Sequence, residues 1–217
     1  PQDPKKAFSL TAEAFYTQFV NPFILSGQTE LPSGVAVITK RNGAGGHSTG
    51  VNVEAAWMPR KNLELSIGGT YLQARYHEQE EIWAPESGNT DSLVSTRRWL
   101  RTPDFFGFFS GAWRPIKPLE WVVTGQWTGP MLVPHVVDVA SEYTELKTTP
   151  WFFDVQTSIA YSFALSKKAK LSLQAGVRNL FNSFQSDFDS GAERDAGYVY
   201  GPLAPRTYVF SVRFSLD

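Results

Sequence analysis

The chain has 217 residues, with 20 Lys and Arg against 21 Asp and Glu, a net charge of −1 and no cysteine. That length suits one sizeable domain or a large piece of a bigger one. The even charge, with no basic stripe, excludes a nucleic-acid partner, and the missing cysteines exclude a disulfide framework and thiol chemistry.

No run of about 18 apolar residues is present, so no transmembrane helix is expected, and any membrane crossing must use strands. The opening Pro1-Gln2-Asp3-Pro4-Lys5-Lys6 is followed by no apolar stretch and is no signal peptide. Either a signal segment has been removed from this end or the chain starts within a longer protein.

From there, period-two alternation dominates. Leu10, Ala12, Ala14 and Tyr16 share one face of a first strand. A second strand is expected to begin near Val35, pass a glycine-rich bulge around Gly43 to Gly46, and continue as Thr49, Val51, Val53, Ala55 and Trp57. The next apolar sets are Leu63–Tyr71, Phe105–Trp113, Leu119–Trp127, Phe153–Tyr161, Leu171–Val177 and Tyr208–Phe214, each read at every second residue. That makes eight strands. The strand-interior charges Glu13, Glu54, Glu64, Glu120, Asp154, Arg178 and Arg213 all fall on the opposite face. A lipid-facing surface enforces such segregation, since a Lys or Arg at the bilayer midplane costs about 2–4 kcal/mol.

The connections alternate strictly in length. Pro59 to Asn62, Pro115 to Pro118 and Ser166 to Ala169 are short, whereas 20–34, 78–101, 129–149 and 182–204 are long. Compact soluble domains rarely use such loops. Outer-membrane barrels pair short periplasmic turns with long extracellular loops. Trp57, Trp113, Trp121, Tyr161 and Phe214 lie near the short-turn side, and Tyr16, Tyr71, Trp127 and Tyr208 toward the long loops. Two aromatic girdles suit the two interfaces of a bilayer. A soluble barrel or sandwich also alternates, but loop asymmetry and girdles favour a transmembrane antiparallel β-barrel.

Several segments resemble the C-terminal barrel of TonB-dependent outer-membrane receptors. They are Ala14-Phe15-Tyr16-Thr17 with Asn21-Pro22-Phe23-Ile24, Gly50-Val51-Asn52-Val53-Glu54 with the strand from Leu63 to Tyr76, and Arg101-Thr102-Pro103. The most specific is Gly176-Val177-Arg178-Asn179-Leu180-Phe181-Asn182, followed by Gly201-Pro202 and Pro205-Arg206-Thr207-Tyr208. Their order spans almost the whole chain. The resemblance implies an all-β fold in which residues 1–217 supply the last eight strands of a 22-stranded barrel. A plug domain, a TonB box and about fourteen strands would lie upstream. One departure is the ending Phe214-Ser215-Leu216-Asp217, where the family commonly ends on an aromatic.

The resemblance further implies TonB-dependent import, across the bacterial outer membrane, of a scarce ligand: a ferric siderophore, haem or cobalamin. Implied partners are the TonB complex, outer-membrane lipid and lipopolysaccharide, and a surface lipoprotein in some members. Loop residues Trp83, Arg97, Arg98, Trp99, Tyr143 and Trp151 are the candidate ligand contacts, because aromatic and Arg anchors dominate many interfaces. His47, His77 and His135 are expected to be solvated loop histidines rather than ligands. The acids from Asp187 to Asp195 faintly resemble a Ca²⁺ loop but miss its glycine, and a solvated loop, or ion pairing with Arg194 and loop arginines, is expected. No catalytic set, metal site or resident cofactor is expected. The alternative is a self-contained eight-stranded outer-membrane barrel with an adhesin, structural or lipid-modifying role, in which the first and last strands would pair. A soluble ligand-binding barrel would instead bury Leu65, Val123 and Ile159.

Overall fold

The computed structural model describes residues 8–30, 32–33, 35–43, 45–85, 92–138 and 143–216. They form strands β1 (Phe8–Phe19), β2 (Phe23–Glu30), β3 (Ala36–Asn42), β4 (Gly46–Arg60), β5 (Leu63–Trp83), β6 (Val94–Arg98), β7 (Phe105–Ile116), β8 (Leu119–Thr128), β9 (Leu132–Asp138), β10 (Tyr143–Thr148), β11 (Phe152–Ala164), β12 (Ala169–Arg178) and β13 (Thr207–Leu216). Eight of them make an antiparallel wall in the order β1-β4-β5-β7-β8-β11-β12-β13, with β6 added on β5.

The register keeps the two faces separate throughout. Leu10 lies opposite Ala55, Val53 opposite Gly69, and Leu65 opposite Gly111. Gly107 faces Trp127, Trp127 faces Phe153, and Leu171 faces Phe214. A one-residue slip anywhere would throw charges onto the apolar face, so the alternation itself fixes the pairing. Tight turns at Lys61–Asn62 and Lys117–Pro118 close two of the hairpins.

The apolar face is not a core. Leu65 is 37% and Ile159 52% exposed, and Phe210 on β13 reaches 80%. This is the opposite of what a soluble barrel requires. Nor does the sheet close on itself: β1 and β13 are its two ends and do not pair with each other. A self-contained eight-stranded barrel needs that pairing.

The second strand differs from expectation. Residues 36–42 are a separate strand, β3, which pairs with β2, and the wall strand β4 begins only at Gly46. Between them Gly45 takes φ 76°, where a Cβ would lie 2.7 Å from the Phe19 carbonyl. The backbone therefore turns there rather than bulging. The other added hairpin, β9-β10, forms within 129–149. The compact apolar cluster lies at this end, beyond the wall: Val133, Phe152, Tyr198 and Tyr200, with Met131 against it.

Candidate functional site

The polar face of the wall carries an ordered set of side chains. Thr70 donates to Asn52 at 2.9 Å, and Asn52 donates to Glu13 at 3.4 Å, linking β5, β4 and β1. Nearer the short turns, Arg114 on β7 bridges Glu64 on β5 at 2.6 Å and Glu120 on β8 at 2.8 Å. A concavity of about 530 Å³ opens on this face, where Glu13, Glu54, Gln126, Phe106 and Phe108 line it. Phe108 fits because Gly68 opposite leaves room: a Cβ there would stand 2.5 Å from the ring. The surface is polar, mixed in charge and punctuated by aromatics.

At the long-segment end, two loops are welded together. The segment 182–204 is fixed at its root by Asn179, which is buried with φ 47°. Its side-chain amide donates to the carbonyls of Ser183 at 3.0 Å and Ala204 at 2.8 Å, and its oxygen accepts from the Ser183 N–H at 2.8 Å. Asn182 adds a bond from the Arg206 N–H. This is the work done by the Gly176–Asn182 motif: two asparagines that tolerate left-handed backbone close a long loop.

Farther out, Gln185, only 1% exposed, donates to the Tyr198 carbonyl and accepts from the Tyr200 N–H. Asp187 accepts both tyrosine hydroxyls, from Tyr198 at 2.7 Å and from Tyr200. Burial alone would raise the Asp187 carboxyl, but the Tyr200 and Tyr198 hydroxyls outweigh it and hold it below the usual range. Burial, followed by the neighbouring carboxylate, pushes both phenols up, so they remain donors.

His135 is not solvated as expected. It is buried on β9, its ring stacks 4.0 Å from Tyr198, and Nε2 lies 2.9 Å from Asp189 Oδ2. Nδ1 is 3.6 Å from Glu145, beyond hydrogen-bond reach. The His135 hydrogen bond is the main reason that the Asp189 carboxyl sits low. Asp189 and Asp195 also accept backbone N–H groups, of Asp195 and Val136 respectively. Asp187, Asp189 and Asp195 thus bind tyrosines, a histidine and backbone N–H groups. Arg101, at φ 54°, donates to the Gly197 and Val199 carbonyls at 2.6 and 2.7 Å and ties the segment to the start of β7. Sequence reading missed Tyr198 and Gln185 as structural nodes, and singled out Asn179 only as part of the Gly176–Asn182 motif. The only hint was a Tyr-x-Tyr pair inside an otherwise polar stretch.

The six candidate ligand contacts do not form one cluster. Trp83 meets Tyr143 edge-on at 4.9 Å, joining the end of β5 to β10. Trp99 packs between Phe19 at 4.8 Å and Tyr76 at 5.8 Å, over Gly46, with its indole nitrogen buried and unpartnered. Arg97 donates to the His77 carbonyl, and Arg98 pairs with Asp104 at 2.7 Å, where Arg75 also approaches. Trp151 stacks on Phe153, in line with the apolar face. His47 and His77 stack at 5.8 Å, with Tyr16 beyond His47. No group of three or more metal-ligating side chains occurs among the described residues.

No family model matches the chain, and no protein of curated function matches it in sequence. Solved structures do share its fold. The ferric-catecholate import receptor Fiu of E. coli K12 superposes with a TM-score of 0.60 at 16% identity, over 96% of this chain and 25% of that one. The siderophore receptor PirA of Acinetobacter baumannii gives 0.57 at 14% identity, over 99% and 30%. A variant of the ferric enterobactin receptor PfeA of Pseudomonas aeruginosa gives 0.55 at 18%, over 95% and 28%. The chain therefore spans less than a third of each of these three proteins.

Proposed function

We propose that the chain is the C-terminal wall of a TonB-dependent receptor in a bacterial outer membrane, importing a ferric siderophore. The observation that carries this reading is the open eight-stranded sheet with segregated faces, matched almost end to end by less than a third of three ferric-siderophore or import receptors. An open sheet leaves β1 and β13 with unpaired backbone groups, which no hydrocarbon tolerates. Further strands of the same protein complete a 22-stranded barrel around a plug that TonB moves, and the protein is not an enzyme.

The apolar face meets lipid and lipopolysaccharide, while the segments 20–34, 78–101, 129–149 and 182–204 face the exterior. There Trp83 with Tyr143, and Trp99 with Arg97 and Arg98, remain the contacts proposed for a bulky chelate; Trp151 would serve at the membrane interface. Haem and cobalamin are the next cargoes in line, and a surface lipoprotein is a further partner in this reading.

The test is uptake of radiolabelled ferric siderophores by cells with and without the intact protein, each with and without TonB. Import of a ferric catecholate that needs both supports the reading. A protein extracted from outer membranes with a mass near 24.2 kDa, still folded, would overturn it.

A further inference from the structure

This inference rests on the membrane reading above. On the apolar face, near the short turns, lies a groove of about 660 Å³, within the range of small-ligand sites. Its floor includes Ala55 and Gly111, and Trp57, Trp113 and Trp121 stand at its sides. The floor is low because Gly111 has no side chain: a Cβ there would meet only Leu65, at 3.3 Å.

Two tight turns border the groove, and the charged residues within them, at 59–62 and 115–118, are all positive. Trp57 and Leu63 straddle the first, with Arg60 and Lys61; Trp113 and Trp121 straddle the second, with Lys117. All three cations are exposed, and none has an ion-pair partner among the described residues. The nearest acids, Glu64 and Glu120, lie on the opposite face and are held by Arg114. The third short turn, with exposed Lys167 and Lys168, continues the basic rim.

We propose that this groove is a binding site for one anionic phospholipid of the inner leaflet. An acyl chain lies over Ala55 and Gly111, and the phosphate sits between Arg60, Lys61 and Lys117. The charge decides the occupant: an apolar slot ending at uncompensated cations fits an amphiphile with an anionic head better than a neutral lipid or a second copy of the chain.

The test uses the intact protein in vesicles of phosphatidylcholine or phosphatidylglycerol carrying brominated acyl chains, which quench nearby tryptophans. The signal of the groove is the part lost in a Trp57→Phe variant. Stronger quenching by phosphatidylglycerol is expected, with the preference falling roughly fivefold for each charge removed in Lys61→Gln and Lys117→Gln. Ala55→Leu, which fills the floor while keeping the charges, should also abolish the preference. Equal quenching by both lipids overturns the site while leaving the membrane reading intact. Absence of quenching by either overturns the membrane reading, and the site with it.

Discussion

Ile67→Lys puts the orientation of the sheet to a quantitative test. Ile67 lies on β5, 54% exposed, opposite Ala55 on one side and Phe109 on the other. It is four residues from Leu63, beside Trp113, and four from Tyr71, so each aromatic band is about 14 Å away along the strand. That is the middle of the apolar belt, where a lysine facing lipid costs about 2–4 kcal/mol. Were this face in water, a half-exposed site would tolerate lysine within about 0.5 kcal/mol. The neighbouring Ser66→Lys, on the polar face and two residues from Glu64, is the control and should cost under about 1 kcal/mol. Folding of the intact protein into vesicles at fixed guanidinium measures the difference: about 3 kcal/mol is about a 150-fold loss in the folded-to-unfolded ratio. Equal, small effects of the two substitutions would refute the assignment of faces.

Asn179→Ala should free segment 182–204. It removes three hydrogen bonds worth about 1 kcal/mol each and sets alanine in left-handed backbone at a further cost of about 1 kcal/mol. Amide exchange at Tyr200 and Val136, whose N–H groups report docking, should rise by about three orders of magnitude, and Asn179→Gly should be milder. Because Asp187 and Asp189 are both held below the ordinary carboxylate range, their contribution to docking is complete above about pH 4 and is lost as pH falls through the depressed values. A fluorophore on Ser190→Cys should report undocking only on that acid side. Gly125→Ala would bring a Cβ within 2.4 Å of the Phe109 ring, an overpacking that costs about 1–3 kcal/mol. Phe109→Leu in the same chain should restore folding measured by heat-modifiable gel migration.

The wall was legible because its information is local. Alternation assigns each residue a face, and two-residue turns such as Lys61–Asn62 leave little freedom of register. What could not be read was made by distance. Tyr198 and Val133 share one cluster across some sixty-five residues, with no period to announce it. The β2-β3 hairpin was hidden because residues 36–42 read as a continuation of β4; positions 43–45, with Gly45 left-handed, separate them. His135 looked like a loop residue, since its stacking on Tyr198 and bond to Asp189 depend on a segment 54 to 63 residues downstream. The loop aromatics were found, but sequence could not foretell that Trp83 would meet Tyr143 while Trp99 turned toward Phe19.

The two unpaired ends of the wall carry a practical warning for anyone who expresses this span by itself. β1 and β13 run 12 and 10 residues with no neighbour on one side among the described residues. Long uncovered edges are templates for adding strands from other molecules. Cut away from whatever completes the sheet, residues 8–216 should polymerise edge to edge into inclusion bodies, so antigens are better taken from the tied loop 182–204, displayed on an unrelated scaffold.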